Sequence, residues 1–147
     1  TAADKDTPEV VIDFATLTGA ARVALGPDVP ALFCNDDALA RRFAEAGEQE
    51  QDPVWRLPLH DGYRRWLDSD VADLSNVADS PFAGAIIAGL FLREFVPKGA
   101  SWAHFDVMAW NGSARPGRPK GGEAVGLRAA FRAVSAWAAA QGHGGEG

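Results

Sequence analysis

The feature that most constrains the fold is a short apolar run near the start of the 147-residue chain. Residues 10–15 read Val-Val-Ile-Asp-Phe-Ala, without the strict apolar–polar alternation of a strand that has one solvent face. Such a run is typical of a central strand in a parallel sheet, because both of its faces are covered. The segment 16–19, Thr-Leu-Thr-Gly, follows where open α/β sheets bind ligands. The pattern predicts a candidate ligand-binding turn, although an ordinary turn reads the same way locally.

Strand and helix patterns alternate along the rest of the chain, which favours a layered α/β class and one domain or most of one. After the first strand they predict an extended segment over 21–34, helices over 37–49, 60–67 and 83–96, a strand over 101–107 and a helix over 123–140. One face of the last helix is expected to carry Leu127, Ala130, Phe131, Val134 and Trp137. Loops are predicted over 68–83 and 109–123, a polar lead-in over 1–8 and a frayed tail over 141–147.

The composition excludes several classes of partner. A formal net charge of −6 and a sequence pI of about 4.9 do not provide the basic surface that nucleic acid requires. No run of 18 apolar residues occurs, so no membrane span is predicted. Cys34 is the only cysteine, which rules out an internal disulfide and fits a reducing cytoplasm. We therefore expect neither nucleic acid nor membrane as a partner.

Acidic and histidine side chains are present, but they do not form a known metal-binding motif. The candidate ligands are Asp13, His60, Asp61, Asp70, Asp73, Asp79, His104 and Asp106. His104 and Asp106 share one face of a predicted strand with Trp102, which favours a hydrogen-bonded strand end over a metal site. Cys34 lies in an apolar strand-like setting, which is typical of an inert buried thiol. No nucleophile elbow or phosphate loop occurs, so the residues alone indicate no catalytic centre.

Two turns that follow predicted strands offer the best candidate for a binding site. They are residues 16–19 and residues 108–111, and in a parallel sheet both could lie at the same edge. Leu17, Met108 and Trp110 would then line a pocket that accepts an apolar group. The local pattern does not by itself identify the ligand.

The segment 13–26, with its Ala-Thr-Leu-Thr-Gly-Ala core, is similar to a segment of the leucyl (cytosol) aminopeptidase family. The similarity continues, in order, through Ala-Asp-Leu-Ser-Asn at 72–76, the apolar segment 85–95, Trp-Ala-His-Phe-Asp at 102–106 and Gly-Arg-Pro at 117–119. This resemblance implies a three-layer α/β/α sandwich of the zinc-exopeptidase type. Residues 1–147 would form a C-terminal portion of that catalytic domain.

The family's Asn-Thr-Asp-Ala-Glu-Gly-Arg segment, which supplies two acidic metal ligands and a catalytic Arg, does not occur in this sequence. Because that segment precedes the Ala-Thr-Leu-Thr-Gly strand in the family, we expect the chain to be a C-terminal fragment. No catalytic residue and no metal ligand is carried over to it. The resemblance implies two divalent metal ions, Mn or Zn, in the full-length enzyme, none of them bound by this chain alone.

The resemblance does assign a substrate-binding role. It falls on Thr16, Leu17, Thr18, Gly19, Met108 and Asn111, which would hold the N-terminus of a peptide. The family further implies a cytoplasmic homo-oligomer, a hexamer, that removes N-terminal residues by a two-metal mechanism. The alternative is a non-catalytic interaction or oligomerisation module derived from the same fold. An in-frame Asn-Thr-Asp-Ala-Glu-Gly-Arg upstream of Thr1 would favour the enzyme, and a start codon near Thr1 would favour the module.

Overall fold

A computed structural model describes residues 8–77 and 80–142. The elements in chain order are β1 Val10–Ala15, α1 Gly19–Leu25, β2 Ala31–Cys34, α2 Asp37–Gln49, β3 Trp55–Arg56, a 3₁₀ helix Asp61–Leu67, α3 Gly84–Arg93, β4 Ser101–Asp106, β5 Trp110–Asn111, β6 Gly121–Gly122 and α4 Leu127–Gly142. No helix in these two ranges is long and apolar enough to span a membrane. The expected lead-in falls mostly on residues 1–7, which lie outside the described part of the chain.

The main sheet has four strands in the order β1-β4-β2-β3. β1 and β4 run parallel and in register from Val10 opposite Ser101 to Ala15 opposite Asp106. β2 is antiparallel to β4, and β3 is parallel to β2. Because Ala15 and Asp106 are paired, the chain leaves β1 and β4 at the same level of the same sheet edge.

One face of the sheet is covered by α2 and α4. Leu32 and Phe105 lie in a buried cluster with Phe43 of α2 and Ala129 of α4. Phe43 meets the Phe105 ring edge-on, with the ring centroids 5.1 Å apart. This is a favourable aromatic geometry, so the ring pair adds to the stabilisation from apolar burial.

The opposite face is covered by α1 and α3. Phe33 and Trp102 cluster there with Ala21 of α1 and Ala85 of α3. Gly89 lets α3 approach closely, because a Cβ at that position would lie 2.9 Å from Cδ1 of Phe33. The sheet therefore lies between two helical layers, which confirms the predicted α/β/α arrangement.

The 3₁₀ helix packs on the outer side of α3. Its Leu67 is buried against Ile87 and Leu90 of α3. This short helix confirms the predicted helix over 60–67, although it has the tighter 3₁₀ geometry. Of the predicted loop over 68–83, the described residues 68–77 and 80–83 contain neither helix nor strand.

α2 occupies the predicted range because a strong N-cap precedes it. The carboxylate of Asp36 accepts hydrogen bonds from the backbone N–H groups of Ala38 and Leu39, at 2.8 and 3.0 Å. The Ser101 hydroxyl also donates to Asp36. The hydrogen bond from the Leu39 N–H and, to a smaller extent, the one from the Ser101 hydroxyl lower the pKa of Asp36. The cap thereby joins the start of α2 to the start of β4.

The predicted extended segment over 21–34 is wrong in its first part. Residues 19–25 form α1, whose N-cap Thr18 accepts a hydrogen bond from the Ala21 N–H. Alanine favours helix, and Gly26, with φ of 77°, ends α1 in a conformation that L side chains rarely adopt. The remainder does contain a strand, at β2.

The last helix also differs from the prediction. It begins at Leu127 rather than at 123, because Gly126 has φ of 77° and the Glu123 N–H bonds the carbonyl of Ala109. Buried Asp52 accepts from the N–H groups of Gly126, Arg128 and Ala129 and so caps the helix. The helix also continues through Gly142, so residues 141–142 of the expected tail are helical, and 143–147 lie outside the described residues.

The large apolar side chains predicted to share one face of α4 do not form its core contact. Leu127 and Phe131 are 56% and 74% exposed. The buried residues are alanines: Ala130, which the prediction included, and Ala129 and Ala133, which it did not. Small side chains let α4 lie close to α2, while Leu127 and Phe131 lie on the exposed side. Trp137 is partly buried and borders a pocket together with Val10 and Leu39. The helical periodicity of the sequence identified an apolar stripe on α4, but it did not show that Leu127 and Phe131 face the solvent.

Two further segments are corrected at their ends. α3 covers residues 84–93 rather than 83–96, since Ala83 has φ of 56° and precedes the helix. The predicted loop over 109–123 contains a small antiparallel pair in which Trp110 lies opposite Gly122. These differences leave the predicted layer arrangement unchanged.

Candidate substrate-binding site

The two strand-end turns meet at one edge of the sheet, as the register of β1 and β4 requires. Asp106, the last residue of β4, is 4% exposed and lies beneath the turn that follows β1. Its Oδ1 accepts from the Leu17 N–H at 3.0 Å. Its Oδ2 accepts from the Thr18 N–H at 3.1 Å and from the Thr18 hydroxyl at 2.7 Å. One buried carboxylate thus joins the turn to the neighbouring strand.

Thr18 extends this connection into α1. Its Oγ1 donates to Asp106 and accepts from the Ala21 N–H at 3.0 Å. A hydroxyl is both donor and acceptor, so Thr18 can make the two bonds at once. The position of the turn is therefore coupled to β4 on one side and to the first turn of α1 on the other.

The bonds to Asp106 decide which groups the turn can offer to a ligand. The N–H groups of Leu17 and Thr18 point at the carboxylate, so they are not available as donors. Thr16 and Gly19 are exposed, and Leu17 is 38% exposed. The turn consequently presents Thr16, the apolar side chain of Leu17 and the exposed backbone at Gly19 to the solvent.

The second turn is built differently. Met108 is partly buried, and Ala109 has φ of 53°. Asn111 is 5% exposed, and its side-chain amide donates to the carbonyls of Arg118 and Pro119 at 3.0 and 2.9 Å. Asn111 therefore holds the β5–β6 loop closed, a role that sequence reasoning missed.

The apolar pocket expected between the turns is small. Thr16, Thr18 and Met108 border a cleft of about 10 Å³, which is roughly the least space that holds one water molecule. Leu17 and Trp110, which we expected in the same pocket, do not line this cleft, and Trp110 is 51% exposed. The described residues supply one wall of a binding site and do not enclose it.

An ion pair fixes the loops beside this cleft. Arg115 donates two hydrogen bonds to the carboxylate of Asp28, at 2.7 and 3.0 Å. These bonds lower the pKa of Asp28. Since Gly26 and Val29 line the cleft, the pair connects its rim to the β5–β6 loop.

A second polar cluster connects neighbouring residues of β1 and β4. Asp13 contacts the Nδ1 atom of His104 through Oδ1 at 2.5 Å and accepts from the indole N–H of Trp102 through Oδ2 at 2.7 Å. His104 is fully buried, and its ring stacks between Trp102 and Phe33. This arrangement supports the interpretation of a hydrogen-bonded strand rather than a metal site at His104.

The other candidate metal ligands are dispersed. Asp61 pairs with Arg93, His60 meets the Tyr63 ring edge-on, and Asp70 is exposed. Asp79 lies outside the described residues. Within 8–77 and 80–142 no group of three or more His, Cys, Asp or Glu residues is placed to hold a metal ion.

The fold and the site together define an α/β/α protein with an exposed loop at the carboxyl ends of two parallel strands, where such sheets bind small ligands. The family model of the cytosol aminopeptidase family, catalytic domain, matches residues 1–131. The chain therefore belongs to the cytosol aminopeptidase family.

Individual proteins agree with this assignment. A probable cytosol aminopeptidase of Rickettsia bellii is 41% identical over 130 residues, which cover 86% of this chain and 26% of the relative. The crystal structure of cytosol aminopeptidase from Coxiella burnetii is 54% identical, with a TM-score of 0.86 over 91% of this chain and 29% of that one. The bottromycin maturation enzyme BotP in complex with Mn is 39% identical, with a TM-score of 0.79 over 88% and 29%. This chain spans about a quarter of the length of the curated relatives it matches.

Proposed function

We propose that this chain is the substrate-binding portion of a metal-dependent aminopeptidase that removes the N-terminal residue of peptides. The observation that carries the proposal is the exposed turn 16–19, braced by Asp106 at the sheet edge, in a chain of the cytosol aminopeptidase family. In this proposal residues 1–147 form a C-terminal portion of the catalytic domain. In this proposal the complete protein is cytoplasmic, as the relatives' names suggest, and it is a homo-oligomer, as the family resemblance implies.

Peptide binding is assigned to backbone and side-chain groups of the two turns. The carbonyl oxygens of the first turn are acceptors, so they suit the N–H groups of an extended peptide. Leu17 and Met108 offer apolar surface to the N-terminal side chain of the substrate. Thr18 positions this turn through Asp106, and Asn111 shapes the second turn by closing its loop. The open backbone at Gly19 permits a close approach of the ligand.

The metal ions of the proposed enzyme do not fit the described part of this chain. The strongest local candidate, His104, directs Nδ1 at Asp13, and its Nε2 is buried without a hydrogen-bond partner among the described residues. Asp106 is occupied by three donor groups of the turn. We therefore assign no metal ligand here, and the two divalent ions, Mn or Zn, belong in this proposal to residues of the catalytic domain outside these ranges.

The alternative function is a non-catalytic oligomerisation module. The exposed apolar side chains of α4 support it, because Leu127 and Phe131 are the kind of surface that drives association. The two functions can be distinguished by placing the chain inside a complete catalytic domain. A substrate-binding portion should support peptide hydrolysis there, and a non-catalytic module should not.

The test is a hybrid enzyme in which residues 8–142 replace the matching segment of the Coxiella burnetii cytosol aminopeptidase. We expect this hybrid enzyme to hydrolyse a leucyl chromogenic substrate in the presence of Mn²⁺ or Zn²⁺. The isolated chain, assayed in parallel, is expected to give no turnover. A folded, metal-loaded hybrid enzyme without activity contradicts the proposed function, and turnover by the isolated chain contradicts the assignment of the metals to other residues.

A further inference from the structure

We propose that Asp106 is a positioning residue that holds the substrate-binding turn in the conformation that receives the peptide. The inference rests on the proposed function, because it concerns the turn assigned there to substrate binding. Asp106 does not reach the ligand itself, since it is 4% exposed beneath the turn. Its effect is transmitted through Leu17 and Thr18.

The bonding pattern supports this assignment. The two carboxylate oxygens receive both backbone N–H groups of 17–18 and the Thr18 hydroxyl. Bonds to an ionised acceptor are shorter and stronger than neutral ones, so they restrict the turn more than a water shell would. They also turn the N–H groups of Leu17 and Thr18 inward, so the side of the turn that faces the solvent is fixed by Asp106.

The position of Asp106 in the fold adds a second argument. It ends β4, and β4 is paired on both sides by β1 and β2, so its backbone is among the best-supported parts of the sheet. A turn anchored to such a strand loses little further freedom when it binds a ligand. Preorganisation of this kind favours binding because less entropy is lost at the binding step.

Asp52 provides a matched control. It is also a buried carboxylate, 3% exposed, and it also accepts from backbone N–H groups, those of Gly126, Arg128 and Ala129. Its bonds begin α4 and do not involve either turn of the candidate site. If Asp106 has only a structural role, replacing it should therefore have the same effect as replacing Asp52, namely lower stability without a change in KM.

The first experiment compares Asp106→Asn and Asp52→Asn in the hybrid enzyme. An asparagine retains one acceptor oxygen but turns an amide group toward donors of the turn. We expect Asp106→Asn to lower kcat/KM by about tenfold or more, mainly through KM, because a small displacement of a binding group has a large effect. We expect Asp52→Asn to lower the melting temperature and leave KM unchanged. Equal KM values for the two variants contradict the proposal.

Two further variants test the route through Thr18. Thr18→Ser keeps the hydroxyl that bonds to Asp106, so it should raise KM less than a variant without the hydroxyl. Thr18→Val keeps the size of the side chain but removes both the bond to Asp106 and the bond from the Ala21 N–H, so it should raise KM in the same direction as Asp106→Asn. If serine and valine give the same KM, the hydroxyl has no positioning role and the proposal is wrong.

Hydrogen exchange separates failure of this inference from failure of the proposed function. It is measured on the hybrid enzyme whether or not that protein is active. Asp106→Asn should speed exchange of the Leu17 and Thr18 amides, whereas Asp52→Asn should speed exchange only at the start of α4. An inactive hybrid enzyme with this exchange pattern contradicts the function and upholds the positioning role, and unchanged exchange at 17–18 contradicts the positioning role alone.

Discussion

Replacing Asp13 by alanine is expected to destabilise the sheet more than any exposed substitution. Asp13 satisfies two buried donors, the indole N–H of Trp102, which is 2% exposed, and Nδ1 of His104, which is 0% exposed. Each buried donor left without a partner costs about 1–3 kcal/mol. The Asp13 side chain is 40% exposed, so water can enter the vacated space and recover part of the loss. For two donors the range sums to about 2–6 kcal/mol. We therefore expect Asp13→Ala to lower the free energy of unfolding by about 3 kcal/mol, a value in the lower half of that range.

The asparagine variant makes the reasoning more specific. In Asp13→Asn the amide oxygen can still accept from Trp102, but the NH₂ group faces His104. Nδ1 must then become the acceptor, which moves the ring hydrogen to Nε2, a buried atom without a partner among the described residues. One donor is left unsatisfied instead of two. The expected loss is about half that of alanine, or about 1.5 kcal/mol.

The assay is urea unfolding of the purified chain, followed by far-UV circular dichroism at equal protein concentrations, because self-association would otherwise shift the midpoints. His104→Phe supplies the second side of a double-mutant cycle, since a phenylalanine ring can occupy the stack between Trp102 and Phe33. Asp13→Ala should cost less in that background. A loss below about 0.5 kcal/mol for Asp13→Ala, the size of an ordinary surface change, would refute the reasoning. Equal losses for alanine and asparagine would refute the tautomer argument.

Three further predictions concern packing, the ion pair and the thiol. Gly89→Ala is expected to cost about 2 kcal/mol in urea unfolding, because its Cβ would lie 2.9 Å from the buried ring of Phe33. Arg115→Gln should lower stability at pH 7 by removing the bonds that lower the pKa of Asp28. That stabilisation is complete above the carboxyl's ordinary value of 3.8 and is lost as pH falls through the lower folded-state pKa. Burial raises the pKa of Cys34, so a thiol reagent at neutral pH should label it only when the chain unfolds.

Each of the three has a control. Gly84→Ala adds the same methyl group to the same helix where the nearest atom is 3.4 Å away, so it should be neutral or slightly stabilising, and equal losses at Gly84 and Gly89 would contradict the close-contact explanation. The Arg115→Gln difference should disappear well below pH 3.8, and its persistence there would contradict the ion-pair explanation. Labelling of Cys34 at the same rate with and without denaturant would show that the thiol is accessible.

The sequence predicted those elements whose signals are local. β4 is an apolar run that is buried on both faces, and α2 follows a clear Asp36 cap. β1 is a strand, as predicted, but the expectation that it is central is wrong, because it lies at an edge of the described sheet and is only partly buried. α1 was missed, because seven residues between a strand and a glycine give too short a window for helical periodicity. The buried side of α4 depends on how near α2 lies, which no local pattern contains.

The candidate site shows the same limit. The exposed turn 16–19 follows from a strand-end pattern and from family resemblance. The role of Asp106 depends on the parallel register that places it opposite Ala15, 91 residues earlier in the chain. Asn111 likewise bonds to carbonyls seven and eight residues away, in a loop whose path is set by the small β5–β6 pair. The sequence shows that Asp106 and Asn111 are polar, but their hydrogen-bond partners are determined by the pairing of the strands.

The most direct test of the central claim is to locate a bound peptide. A leucyl peptide whose N-terminal side chain carries a photoreactive diazirine is mixed with the metal-free hybrid enzyme and irradiated. Mass spectrometry then identifies the labelled residues. The account predicts labelling within residues 16–19 and at Met108, with loss of that labelling in the presence of excess unmodified peptide. Competable labelling confined to other parts of the hybrid enzyme would contradict a substrate-binding role for this chain.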